Sequence, residues 1–154
     1  MHTKGNMIDS LEKISVKIFP SSKEGSVYVA NVIASLINEK AAKNEKCVIG
    51  LATGSTPKTL YAELVHMHKN EGLSFKNVIT FNLDQYYPME ADALNSYHYF
   101  MRKYLFEQTD IEPSNYFLPD GMLPKEMVKA HCLDYERILG AAILNQNDSS
   151  EVTS

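Results

Sequence analysis

The stretch VIGLATGSTP, Val48 to Pro57, runs apolar as far as Ala52, then turns through Thr53, Gly54, Ser55 and Thr56 into a proline. From Cys47 to Ala52 the residues are apolar on both alternating faces. That pattern belongs to a parallel strand covered by helices on its two sides. Pro57 suits the first position of a helix, with Thr56 as its N-cap. Leu60, Tyr61, Leu64, Val65 and His68 then fall on one helical face, and Gly72 supplies the stop. The stretch therefore predicts strand, corner and helix, the unit from which α/β folds are built.

The flanking sequence repeats the unit. VKIF (Val16 to Phe19) reads as a short strand, followed by Ser21 and Glu24 at capping-box spacing. Val29, Ile33, Leu36 and Ile37 recur at helical period, widened by Ala30, Ala34 and Ala41. Downstream, NVITFNLD (Asn77 to Asp84) is the next strand. Tyr97, Phe100, Met101, Tyr104 and Leu105 form a helical stripe capped by Asn95 or Ser96. SNYFLPDG carries a short strand into a turn, and a last helix from about Pro124 to Leu139 aligns Val128, Cys132, Tyr135 and Leu139. Strand and helix alternate four times, which implies a mostly parallel sheet with right-handed crossovers. The expected architecture is a Rossmann-like, three-layer α/β fold, incomplete on its C-terminal side. Residues 1–14 read as a polar leader, 15–144 as the domain, and 145–154 as a polar, disordered tail.

A chain of 154 residues suffices for one domain with a real core. At 44% hydrophobic and 22% charged, its composition is that of an ordinary globular protein. The net charge of −4 gives no basic field for nucleic acid or an anionic membrane, so any anion site must be local. No apolar run approaches the ~18 residues of a membrane span, and the N-terminus lacks a signal core. Cys47 and Cys132 make no disulfide framework and sit in patterns that read as buried. These features together predict a cytoplasmic domain.

Ligands of open parallel sheets bind beyond the carboxyl ends of the strands. Thr53, Gly54, Ser55 and Thr56 lie at that edge and open a helix, whose first N–H groups and dipole favour an anion. Gly54 permits close backbone approach, and the hydroxyls add hydrogen bonds. The same residues also suit an ordinary capped turn without a ligand. They match neither a Walker A loop nor a dinucleotide fingerprint. Asp84 follows the next strand and is expected to face that corner, where a carboxylate beside a sugar phosphate can abstract a proton alpha to a carbonyl. An Asp serving only as a turn residue is the plainer alternative. Tyr86, Tyr87 and Pro88 can shape a pocket, and His98 is the nearest further acid–base candidate. His66 and His68 stand at i and i+2 and cannot pair on one helix face, so no metal site is expected.

Three blocks occur in order: GLATGSTP, SFKNVITFNLDQY and NSYHYFM. With these the chain from about Val16 to Leu139 resembles the glucosamine-6-phosphate deaminase family. The resemblance implies conversion of glucosamine 6-phosphate and water to fructose 6-phosphate and ammonia, without metal or organic cofactor. It assigns Thr53, Gly54, Ser55 and Thr56 to the substrate and its phosphate, and Asp84 to proton transfer between carbons 2 and 1. It also implies a homo-oligomer. Gln85 departs from the family, which often has Glu there.

After LDYERILG the family continues with a strand, a Gly-rich loop and an Asp-Gly-His segment that handles ring opening, whereas this sequence gives AAILNQNDSSEVTS. Three functional expectations follow: a deaminase-type enzyme, completed by another chain or by the absent half; a non-catalytic sugar-phosphate-binding module; or an inactive truncated remnant. Retention of Asp84 favours the first over the second, and absence of the ring-opening segment favours the third over a working monomer.

Overall fold

A computed structural model describes residues 15–147. The expected leader, residues 1–14, lies outside the described residues. Helix α1 (Ser22–Ala42) starts as its sequence predicts: Ser21 is the N-cap, its Oγ accepting from Glu24 N–H at 3.2 Å and donating to Glu24 Oε1 at 2.9 Å. Then follow β1 (Cys47–Leu51), α2 (Lys58–Glu71), β2 (Val78–Asn82), α3 (Tyr97–Tyr104), β3 (Tyr116–Phe117) and α4 (Val128–Asn147), with single 3₁₀ turns at Phe106–Gln108, Pro113–Asn115 and Lys125–Met127.

The strands are parallel in the order β1-β2-β3, with Cys47 opposite Val78, Leu51 opposite Asn82, and Thr80 opposite Tyr116. Alternation sorts their side chains. Cys47, Leu51 and Val78 enter the main core with Tyr61, Leu64 and Met67 of α2, Ala30 and Ile37 of α1, and Met101 of α3. On the other face Phe81 stacks on Phe117 at 4.8 Å between ring centroids and meets Tyr135 of α4 edge-on at 5.8 Å. Helices thus cover both faces, giving the three layers. Full burial of side chains such as Leu64 and Phe75 contributes roughly 2–3 kcal/mol each.

Five expectations need correction. Residues 15–19 form no strand. A strand needs a neighbour, and this segment instead lies on α1, with Phe19 against Tyr28 (5.2 Å) and Lys17 hydrogen-bonded to the Tyr28 hydroxyl, while Val16 and Ile18 face solvent. The described chain therefore carries three strands. Helix α2 begins at Lys58 with Pro57, not Thr56, as N-cap, and no side chain caps it. Pro57 already has helical backbone angles and its carbonyl accepts from Tyr61 N–H at 2.9 Å. β2 ends at Asn82, so Asp84 does not follow it directly. Cys132 is exposed, because α4 grips the sheet through Tyr135 and leaves Cys132 and Leu133 on its outer side. Finally, α4 runs through Asn147, three residues into the expected tail; residues 148–154 lie outside the described residues.

Candidate active site

The strand ends are pinned before any loop begins. Carbonyls just beyond a ladder have lost their partners, and here buried side chains supply them. Asn82, 1% exposed, donates from Nδ2 to Leu51 O at 3.1 Å and so ties β2 to β1. The Tyr61 hydroxyl donates to Ala52 O. The Tyr135 hydroxyl lies 2.7 Å from Asn82 O and 2.9 Å from Phe117 O, bridging β2 and β3. Burial pushes both phenols up to about 12, outweighing the opposing effect of the carbonyls they bind. They remain neutral donors throughout the physiological range, so the frame does not loosen with pH.

From this frame three corners leave the same sheet edge. The first is Thr53–Thr56. Gly54 has φ +111°, a conformation that side-chain-bearing residues rarely adopt, and open space surrounds the place of its missing Cβ. Lys58 N–H reaches back to Ser55 O at 3.4 Å, and α2 starts without a side-chain cap, so its first-turn N–H groups face the corner. Thr53 and Thr56 also wall a cleft of about 420 Å³ shared with Ser22, Gly25 and Ser26 of α1. Among the described residues no charged side chain lines that cleft, and Asp84 is not among its walls. Lys58, at the start of α2, holds its Nζ over the rings of Tyr104 (4.8 Å) and Phe100 (5.8 Å).

The second corner carries Asp84. Leu51 and Asn82 are register partners on strands about 4.8 Å apart, so Thr53 and Asp84 each stand two residues past a matched pair. The structure thus brings the two expected segments to one edge, side by side. Asp84 is exposed. Tyr86 beyond it is held above the usual phenol range by its hydrogen bond and charge interaction with Tyr97, by burial, and by the negative charge of Asp84. Gln85 turns inward: its Oε1 accepts from Tyr86 N–H (3.0 Å) and from Tyr97 N–H (3.1 Å), the first residue of α3. Ser96 caps that helix from below, accepting from Tyr99 N–H at 3.0 Å. Gln85 Nε2 and Asn82 Oδ1 are buried without a hydrogen-bond partner among the described residues, both in the segment bearing the carboxylate.

The third corner, residues 118–123 after β3, carries no sequence signal of a role beyond its turn. Its Gly121 carbonyl accepts from Met89 N–H at 2.8 Å, and the Leu123 carbonyl accepts from the Tyr87 hydroxyl at 2.8 Å, so it backs the Asp84 loop. His98 reaches this third corner and not the first two, donating from Nε2 to Pro119 O at 3.4 Å. The signals that could have found the frame were Asn82, a polar residue at a buried strand end, and tyrosines on apolar helix faces, whose hydroxyls need partners. Among the described residues no three His, Cys, Asp or Glu side chains gather as metal ligands.

Comparison with known proteins agrees with this layout. Residues 20–153 match the family described as glucosamine-6-phosphate isomerases/6-phosphogluconolactonase. A glucosamine-6-phosphate deaminase-like protein of Bacteroides thetaiotaomicron is 42% identical over 132 residues, covering 86% of this chain and 20% of that protein. The glucosamine-6-phosphate deaminase of Bacillus velezensis is 44% identical over 106 residues, covering 69% of this chain and 43% of the relative. Among solved structures, a monomeric glucosamine-6-phosphate deaminase of the NagB superfamily superposes with a TM-score of 0.77 at 36% identity, over 83% of this chain and 51% of that one. The chain thus spans about half or less of the length of these relatives. With its three-stranded parallel sheet, two-sided helical cover and corner sequence all in place, the chain belongs to the glucosamine-6-phosphate isomerase/6-phosphogluconolactonase family.

Proposed function

We propose that the chain binds an amino-sugar phosphate across the first two corners and that Asp84 moves a proton on it, glucosamine 6-phosphate and water yielding fructose 6-phosphate and ammonia. The observation that carries this reading is the register of Leu51 with Asn82, which sets an uncapped helix start and a free carboxylate beside each other. Relatives named as glucosamine-6-phosphate deaminases support the substrate class. The phosphate lies against the backbone of Thr53, Gly54, Ser55 and Thr56. In the open-chain sugar the Asp84 carboxylate takes the proton from carbon 2, leaving an enolamine, and returns it to carbon 1. The resulting imine at carbon 2 adds water and releases ammonia. The proposed reaction needs no metal or organic cofactor, and a phosphorylated sugar substrate fits a cytoplasmic protein.

The assay is ammonia release from glucosamine 6-phosphate by the purified chain. Asp84→Asn keeps the shape and removes the base, so turnover vanishes while sugar-phosphate binding stays within about three-fold, since the substitution removes only transition-state chemistry. Equal loss of both would make Asp84 structural. Self-association belongs to the same reading, because Leu133, Ile143 and Leu144 of α4 are exposed. Specific activity then rises with chain concentration, whereas a constant value and a 17.4 kDa species in sedimentation would exclude it. A second reading, binding without catalysis, is supported by the walls of the cleft, which among the described residues carry no acid or base and do not include Asp84. Saturable binding with no ammonia release assigns the chain to it.

A further inference from the structure

Gly121 is buried, and its backbone lies directly on the loop that follows Asp84. A Cβ at this position would stand 2.5 Å from Met89 O and 2.9 Å from Tyr86 O. Both are backbone atoms, which cannot swing aside as a side-chain tip can. The approach is held by two bonds, Met89 N–H to Gly121 O and the Tyr87 hydroxyl to Leu123 O, each 2.8 Å.

Residues 119–123 are themselves anchored from behind. Asp120 N–H donates to His131 Nε2 of α4 at 3.1 Å, and Asp120 Oδ1 accepts from Met122 N–H at 2.8 Å to close the turn. On its other side the Asp84 loop is tied to α3 through Gln85 Oε1. The loop that follows the carboxylate, residues 85–89, is therefore held between two supports, one on α3 and one on the β3–α4 connection. Nothing in the backbone angles of Gly121 requires glycine, since its φ lies outside the left-handed range. Close approach alone explains it.

We infer that Gly121 is a positioning residue for Asp84: its lack of a side chain lets residues 119–123 seat the Asp84 loop, and any Cβ there displaces the carboxylate from the sugar-phosphate corner. This rests on the assignment of Asp84 as the base. A side chain at 121 pushes on Tyr86, two residues from Asp84, and leaves Thr53–Thr56 untouched.

The test compares Gly121→Ala with Gly140→Ala, whose glycine has open space around it. In the ¹⁵N- and ¹³C-labelled chain, Gly121→Ala is expected to move the amide resonances of residues 85–89 and the Asp84 carboxyl resonance, with the amides of residues 53–56 unchanged. Misplacement of a reacting group by about an ångström lowers kcat by roughly 10- to 100-fold, while KM stays within about two-fold. Gly140→Ala changes neither. Should Gly121→Ala fail to fold, Tyr87→Phe removes one holding bond without adding bulk and is expected to shift the same resonances by less. Unmoved Asp84 resonances in the folded variant, or moved resonances with unchanged kcat, overturn the inference. Wild-type chain that releases no ammonia refutes the assignment of catalysis, and the resonances still decide the role of Gly121.

Discussion

Gly54 does one thing that its neighbours cannot. At φ +111° with open space around the missing Cβ, a side chain there would meet no atom, only the torsional penalty of the backbone itself. Gly54→Val is therefore expected to lower stability by about 1–2 kcal/mol and to weaken sugar-phosphate binding as the corner relaxes to negative φ. Thermal unfolding and a phosphate titration check both parts, and unchanged stability would mean that the corner is not strained. The same corner shows the limits of reading residues one at a time. Thr56 has the right chemistry for an N-cap, yet Pro57 takes the position because its fixed φ already matches the helix. Asp84 and the four corner residues stand out in the sequence as candidates because they follow an apolar run, and the structure puts both segments at one sheet edge. Asn82 and Tyr61 do not stand out, since a hydrogen bond to a neighbouring strand-end carbonyl depends on contacts that local sequence does not encode.

Helices α1, α2 and α3 were readable from period and caps, and β1 from an unbroken apolar run. The elements that differ are those decided by partners. Residues 16–19 read like a strand but pair with none among the described residues, and α4, docked through Tyr135, continues past Leu139 and through Gly140 to Asn147. Between elements, Asp110 joins the end of the α3 region to the turn before β2. Burial alone would raise its carboxyl, but Phe75 N–H (2.6 Å), the Ser74 hydroxyl (2.7 Å) and His68 (3.6 Å) together hold it below the usual carboxylate range. Because the native state then binds its proton less readily than the unfolded chain, this contribution is complete above the unfolded value of about pH 4 and is lost as pH falls through the lower folded value. Asp110→Ala leaves the Phe75 N–H unpaired and is expected to cost about 1–3 kcal/mol at neutral pH. Urea unfolding from pH 7 to pH 2 should show that difference shrinking on the acid side. A difference constant with pH would mean that the carboxylate charge contributes nothing.

Taken as a whole, the molecule is a short parallel sheet whose three carboxyl ends are clamped by buried amide and phenol groups and whose three loops converge on one edge. The first loop offers backbone N–H groups, the second a carboxylate, and the third holds the second in place. Under the proposed reading that division of labour puts the sugar-phosphate site on this edge, away from the main core on which stability rests. It also explains how a chain spanning about half or less of its relatives' length keeps the corner geometry: the clamps all lie within residues 51–135. The most direct measurement is a titration of the ¹⁵N-labelled chain with glucosamine 6-phosphate, followed amide by amide. The account predicts saturable shifts at Thr53, Gly54, Ser55 and Thr56 together with Asp84 and Gln85, and none with unphosphorylated glucosamine. Shifts confined to other surfaces, or the same response to glucosamine as to its phosphate, would contradict it.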